Sequence, residues 1–175
     1  MKHNLLRMKK IILTSAFIFG LALTAQAQTK VGIHFGYGTE IEKAAIGANA
    51  EFGITDKISI APDFTYYFTE KIEYVKMSAW ELNANAHYYF LDQNKFKVFG
   101  LGGLNYTTVK VTFDHPMGGL FGGEDSSSSQ SEIGFNLGGG TTYDLTDKIQ
   151  AFSTLKYTLG STDQLAIFIG ARYIF

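Results

Sequence analysis

Beyond residue 27 the apolar side chains of this chain recur at every second position, and no apolar run there comes near the ~20 residues a helix needs to cross a bilayer. The pattern is clearest where Trp80, Leu82, Ala84, Ala86, Tyr88 and Phe90 alternate with Glu81, Asn83, Asn85, His87 and Tyr89. A period of two puts each class of side chain on its own face of a β-strand. Val31, Ile33, Phe35 and Tyr37 oppose Gly32, His34 and Gly36; Ile46, Ala48, Ala50, Phe52 and Ile54 oppose Gly47, Asn49, Glu51 and Gly53. Ile58, Ile60, Phe64, Tyr66 and Phe68 oppose Ser59, Asp63, Thr65 and Tyr67, with Pro62 on the apolar face; proline cannot donate to a ladder, so a bulge is expected there. Ile133, Phe135, Leu137 and Tyr143 oppose Gly134, Asn136, Gly138, Gly140 and Thr142, and Leu165, Ile167, Ile169, Ala171, Tyr173 and Phe175 oppose Gln164, Ala166, Gly170 and Arg172. Segments 96–111 and 149–159 complete a set of eight. The first of these carries Gly100, Gly102 and Gly103, which leaves its facing and register open and makes a bulge plausible.

The connections alternate in kind. Ile54-Thr55-Asp56-Lys57-Ile58 and Leu145-Thr146-Asp147-Lys148-Ile149 are near-copies of one tight turn, and 91–96 fills the equivalent place between the fourth and fifth strands. The other four connections vary: 39–44, 69–77, a long one over 112–131, and 160–163. Short turns at one rim and variable loops at the other describe a transmembrane barrel with its loops outside the cell. A soluble barrel of the same layout needs an apolar lining. Here the minority face is Gly, Asn, Ser, Thr and charges, too small and polar for a dry core, so the apolar majority face is a band for lipid. Tyr37, Phe68 and Trp80 fall towards the loop rim and Phe52, Phe90 and Tyr143 towards the turn rim, as aromatic girdles do. The expected fold is all-β, an eight-stranded antiparallel up-and-down transmembrane β-barrel.

The first 27 residues are of another kind. Lys2, Arg7, Lys9 and Lys10 precede the apolar run 11–23, and Ala25-Gln26-Ala27 follows as a small-x-small cleavage site. This is the pattern of a secretory signal peptide, too short in its apolar part to be kept as an anchor. Met8 opens a sufficient signal by itself, so either methionine can be the start without altering the mature chain. Two segments follow: signal peptide 1–27 and barrel domain 28–175. Loss of the signal takes four of the 15 Lys and Arg and none of the 16 Asp and Glu, leaving 11 against 16, a formal charge of −5. So acidic a chain offers no footprint for nucleic acid. With no cysteine it has no disulfide scaffold, thiolate metal site or thiol nucleophile.

With its signal peptide, alternating strands and terminal Tyr173-Ile174-Phe175, the chain resembles the small outer-membrane β-barrel family of OmpA and OmpX type. That resemblance implies residence in the bacterial outer membrane, contact with its lipid, and reading of Tyr173 and Phe175 by the barrel-assembly machinery. It implies no single activity, since members resembling this pattern serve as envelope-stabilising proteins, adhesins, narrow channels or lipid-modifying enzymes.

The inward charged residues are Glu51, Asp63, Glu81, Lys156 and Arg172, accompanied by His34 and His87. Strand direction places Glu51 and Arg172 towards the turn rim and Glu81 and Lys156 towards the loop rim, which permits two ion-pair layers. Buried charges are costly unless paired, and an eight-stranded barrel is just wide enough for side chains to fill. A polar plug is therefore expected before a gated conductance. Metal ligands must converge, and His34 and His87 lie on strands that are not neighbours, so neither metal nor cofactor is expected. Ser153 is the only serine well placed on a lipid-facing strand, no histidine flanks it and His115 is in a loop, so no catalytic set is visible and an enzyme is not expected. The long loop carries Met117, Leu120 and Phe121 beside Gly and Ser runs of a kind usually mobile, and it is the candidate surface for an extracellular or envelope partner. The function expected is structural or interactive, ahead of solute or apolar-ligand transport and of lipid modification.

Mass analysis of the protein taken from outer membranes should give a chain beginning at Gln28; retention of 1–27 would contradict the cleavage site.

Overall fold

The computed structural model describes residues 28–72, 75–113, 126–160 and 163–175, and at 70–72, 75, 113 and 126 the backbone alone. The predicted signal peptide and the loop residues His115, Met117, Leu120 and Phe121 lie outside the described residues. Eight strands follow in order: β1 (Thr29–Gly38), β2 (Lys43–Gly53), β3 (Ile58–Ile72), β4 (Val75–Gln93), β5 (Phe96–Phe113), β6 (Ser126–Asp144), β7 (Ile149–Leu159) and β8 (Gln164–Ile174). Each pairs antiparallel with the next, and β8 returns to β1 from Lys30↔Ile174 to Gly38↔Ala166. The result is a closed up-and-down barrel.

Alternation sets the faces. Val31, Ile33 and Phe35, Leu82, Leu137, Ile167 and Ile169 stand exposed on the outer wall, while His34, Asn49, Glu51, Glu81, Asn83 and Arg172 are buried inside. In β5 the register left open by sequence resolves with Phe99, Leu101 and Asn105 buried and Leu104 and Tyr106 exposed. A Cβ at Gly103 would come 2.7 Å from the Asn85 Cα, whereas Gly100 and Gly102 have nothing closer than 3.9 Å.

Two expectations about irregularity are corrected. Pro62 causes no slip: Asn49↔Asp63 and Phe52↔Ile60 bracket it in one register, and Pro62↔Ala84 is kept on the other side. The ring's missing N–H removes ladder pairing to β2 without an extra residue being inserted. The register shifts fall instead between Tyr67 and Glu70 in the β3–β4 ladder and between Tyr89 and Leu91 in the β4–β5 ladder. The second puts one additional residue on β4, so the bulge belongs to that strand and not to the glycine-rich β5.

The loops at the variable rim are also shorter than the sequence suggested. Thr69 to Ile72, Val75 to Met77 and 126–131 are all strand. The serine run, expected to be mobile, pairs with β5 from Phe113↔Ser126 to Thr108↔Ser131, and Thr108 Oγ1 and Ser131 Oγ are 2.8 Å apart. Serine's weak strand preference is overridden by a β-branched partner strand already held in place by β4. As a result β3 to β6 run 15, 19, 18 and 19 residues, against 10 or 11 for β1, β2, β7 and β8.

The two near-identical turns are identical in bonding. The Ile58 carbonyl accepts from Ile54 and Thr55, and Thr55 Oγ1 accepts from Lys57 and Ile58. Ile149, Leu145, Thr146 and Lys148 repeat each bond at the other site. The β4–β5 turn uses Asn94 at φ 52°, a left-handed conformation that asparagine tolerates better than most residues.

Inward glycines face inward rings. Gly36 pairs with Phe168, Gly47 with His34, Gly140 with Phe99 and Gly170 with Phe152. A Cβ on Gly140 would sit 2.5 Å from the Phe99 ring, and one on Gly170 would sit 2.6 Å from that of Phe152. At these four pairs glycine supplies the room for the ring, whereas Tyr89 and Phe99 face each other directly with ring centroids 5.5 Å apart.

Gly36→Val should lower unfolding stability in lipid vesicles by ~1–3 kcal/mol through overpacking against Phe168. Gly100→Val, on the open outer face, should change it by less than ~0.5 kcal/mol. Urea titration followed by Trp80 fluorescence checks both, and equal effects would remove the glycine–ring argument.

Candidate functional site

The lumen gathers the polar residues that alternate with the lipid-facing ones. Glu51, on β2, gathers side chains from three other strands: Lys30 Nζ on β1 at 3.2 Å, the Arg172 guanidinium on β8, and His87 Nδ1 on β4 at 3.4 Å. The Tyr89 hydroxyl donates to the same carboxylate at 2.8 Å. Nearer the loop rim, Lys156 on β7 donates to Glu81 on β4 at 2.6 Å, and Asn105 donates to the other carboxylate oxygen at 3.2 Å. Asp63 takes hydrogen bonds from Asn83 at 2.8 Å, Asn85 at 3.1 Å and Thr65 at 3.2 Å. Formal charge cancels, with Glu51, Asp63 and Glu81 set against Lys30, Lys156 and Arg172.

These groups form one connected chain of hydrogen bonds. From Glu81 it passes through Asn105 to Asn83, to Asp63 and to Thr65. Thr65 Oγ1 lies 2.9 Å from His34 Nε2, Asn49 Nδ2 lies 3.2 Å from His34 Nδ1, and Arg172 Nε donates to Asn49 Oδ1 at 2.7 Å before reaching Glu51. The donors fix the histidine tautomer. Thr65 gives its proton to Asp63, so His34 must donate from Nε2, which leaves Nδ1 to accept from the Asn49 amide. Asn136 joins a branch, donating to Asn83 and Asn85 and accepting from Thr158.

Aromatic rings line the remaining wall. The Arg172 guanidinium lies 4.1 Å from the Phe152 centroid and Lys156 Nζ 5.4 Å from that of Phe168, while His87 stacks on Phe99 at 4.2 Å. At mid-height the free space is a cavity of about 30 Å³, bordered among others by His34, Asp63, His87 and Arg172. That is room for about one water. Wider spaces lie beyond it: about 640 Å³ at the turn rim beside Lys30, Glu51 and Tyr89, and about 360 Å³ at the loop rim above Glu81 and Asn105.

Of the inward residues singled out from the sequence, Glu51, Glu81, Lys156, Arg172 and His87 meet one another, while Asp63 and His34 bond asparagine and threonine side chains. Glu51 with Arg172 and Glu81 with Lys156 form ion pairs at two heights in the lumen. His34 and His87, on non-adjacent β1 and β4, do border the same small cavity, His34 bonded to Thr65 and Asn49 and His87 Nδ1 lying 3.4 Å from the Glu51 carboxylate. Among the described residues no group of three or more His, Asp or Glu is arranged to hold a metal ion. Ser153 Oγ lies 3.0 Å from Thr141 Oγ1, a cross-strand pair on the wall opposite to the lumen histidines. Tyr173 and Phe175 are exposed at the end of β8 with their rings in edge contact at 5.0 Å. Lys30 was missed by sequence reasoning, although it shares the parity of Gly32 and His34 and could have been found by extending that strand one step. Phe99, Leu101, Phe152 and Phe168 were missed because an apolar residue on the minority face carries no mark; the glycine paired with each ring was the available signal.

Residues 12–175 match the family described as outer membrane protein beta-barrel domain. No curated protein matches the chain. Among solved structures, Neisserial surface protein A is similar with a TM-score of 0.63 at 19% identity, covering 85% of this chain and 97% of that one. The N-terminal β-barrel domain of Pseudomonas aeruginosa OprF gives 0.62 at 18%, covering 86% and 100%. Ail, the attachment invasion locus protein of Yersinia pestis, gives 0.60 at 14%, covering 85% and 97%. At these identities the likeness is one of fold.

Arg172→Ala should cost ~3–5 kcal/mol of unfolding stability, since it leaves Glu51 and Asn49 short of a buried partner. Lys30→Ala should cost less, because Glu51 keeps Arg172 and Tyr89. Urea unfolding in vesicles reads both, and a reversed order would contradict the central place given to Arg172.

Proposed function

The chain belongs to the outer membrane protein β-barrel domain family, and on that premise we propose that it is a non-enzymatic scaffold of the bacterial outer membrane, closed by a polar plug and acting through structural and surface interactions. The observation that carries this is the unbroken hydrogen-bond chain from Glu81 to Glu51 around a cavity of only about 30 Å³. Paired charges with satisfied hydrogen bonds hold a lumen shut more firmly than they line a water path, because each would have to be solvated anew to let a solute by. Ser153 bonded to Thr141, with the described histidines on the other side of the wall, supports the absence of hydrolytic chemistry. The exposed Tyr173 and Phe175 suit recognition by the barrel-assembly machinery, and export through a cleaved signal at 1–27 suits the same destination.

A gated conduit is the second reading, favoured by the vestibules on both sides of the constriction. Planar-bilayer recording separates the two. The wild-type protein should show no steady conductance, and a persistently open wild-type channel would overturn the plug. Glu81→Ala and Arg172→Ala should leave the traces unchanged if the network is structural; raised single-channel conductance in either would make it a gate. Lipid A mass spectra should be the same with and without expression, and a shifted species would contradict the non-enzymatic assignment.

A further inference from the structure

Above the Glu81–Lys156 pair the lumen opens into the loop-rim cavity of about 360 Å³, within the ~300–1,000 Å³ usual for small-molecule sites. Its floor is shut. Lys156 and Asn105 take up the two oxygens of Glu81, and the next free space below holds only about 30 Å³. A molecule entering from the loop rim therefore stops here.

The walls offer three kinds of contact. Ile41, Met77, Val109 and Val111 form an apolar side, with Ile41 and Val109 packed against the buried cluster of Ala45, Tyr67, Ala79, Ala166 and Phe168. The charged residues are Glu40, Glu81 and Glu132, and among the described residues no lysine or arginine borders the space. Since Lys156 cancels Glu81, the charge facing the space is that of Glu40 on the β1–β2 turn and Glu132 on β6. Glu132 Oε1 accepts from Gln130 at 3.1 Å, a neutral donor that leaves the carboxylate charge in place. The third contact is Gln164 at the start of β8, which lines the space, is buried, and has an Nε2 with no hydrogen-bond partner. A Cβ at residue 38 would collide with that amide, so Gly38 makes its room. A buried donor without an acceptor is unfavourable until something bonds it.

We propose that this pocket binds a small organic cation that combines an ammonium group, a neighbouring carbonyl oxygen and an apolar side chain, as the amide of an apolar amino acid does. The ammonium meets Glu40 and Glu132, the carbonyl accepts from Gln164 Nε2, and the side chain covers Met77, Val109 and Val111. Free amino acids are disfavoured, because their carboxylate would face the same two glutamates. Neutral analogues forfeit the charge contact. The site rests on the reading of the barrel as plugged, since a closed floor turns the space into a binding pocket and not a passage.

The protein in lipid nanodiscs, labelled at its Met, Val and Ile methyl groups, is titrated with leucinamide and followed by NMR. Saturable shifts are expected at Met77, Val109 and Val111 and not at Ile58 or Ile149 of the turn rim. N-acetylleucinamide lacks the charge, leucine adds a carboxylate and glycinamide lacks the side chain; each should bind at least about tenfold more weakly. Isopentylammonium, which keeps charge and side chain without the carbonyl, should bind about threefold or more weakly than leucinamide, and Gln164→Leu should abolish that difference. Glu40→Gln combined with Glu132→Gln should weaken leucinamide at least about fivefold and leave N-acetylleucinamide unchanged. Folding of the variants is checked by unboiled gel migration, and if Gln164→Leu does not fold, the two amines compared on the wild type decide its role. Absence of saturable shifts, shifts at the turn rim instead, N-acetylleucinamide or leucine binding as tightly as leucinamide, equal binding of the two amines to the wild type, or an unchanged affinity in the doubly substituted glutamate variant would each overturn the proposal. Failure here with a non-conducting barrel removes the pocket's ligand alone, whereas a conducting wild type removes the plug and leaves the titration to be read by itself.

Discussion

A peptide group in hydrocarbon has only other peptide groups to bond, and β1 meets that demand by pairing residues 30–38 with 166–174 of β8. Closure is what makes the other features possible. It leaves no strand edge in the lipid, it sends one face of every strand to the bilayer, and it forces the other face into a space a few side chains wide. Thr39 N bonds the Leu165 carbonyl and Phe175 N bonds that of Thr29, so the seam is fastened at both ends.

The narrowness explains the contents of the lumen. Several rings sit where the facing residue is glycine, as Phe168 does beside Gly36 and Phe152 beside Gly170. A charge fits only where an opposite charge or a set of amides takes the place of water, hence Glu51 among Lys30, Arg172 and Tyr89, and Asp63 among Asn83, Asn85 and Thr65. Arg172 serves both rules, bonding Asn49 and Glu51 while its guanidinium covers the Phe152 ring. Outside the hydrocarbon the demand for closure lapses. There β3 to β6 continue as an open sheet, which is where an unpaired edge costs least.

Much of this was legible in the residue order. Alternation from Trp80 to Phe90 announced a strand and its faces, and the paired Thr-Asp-Lys turns announced two hairpins, because both signals are local and need no knowledge of the rest of the chain. Eight strands, their antiparallel order and a polar lumen follow from such signals together. Places where local composition misled were places where a neighbour decided. The serine run became strand against β5, and Pro62 stayed in register because β4 held it.

By itself, then, the sequence determined that the chain alternates, which of its faces is greasy, and where it turns, since those depend on residues within a few positions of each other. Only the tertiary structure decided that Lys30 joins Glu51, that His34 bridges Thr65 and Asn49, and that β6 outruns β7. The side-chain pairs among these join residues 15 to 31 positions apart on different strands. They exist only once the ladder has closed and its registers and curvature have set which side chains share a height in the lumen.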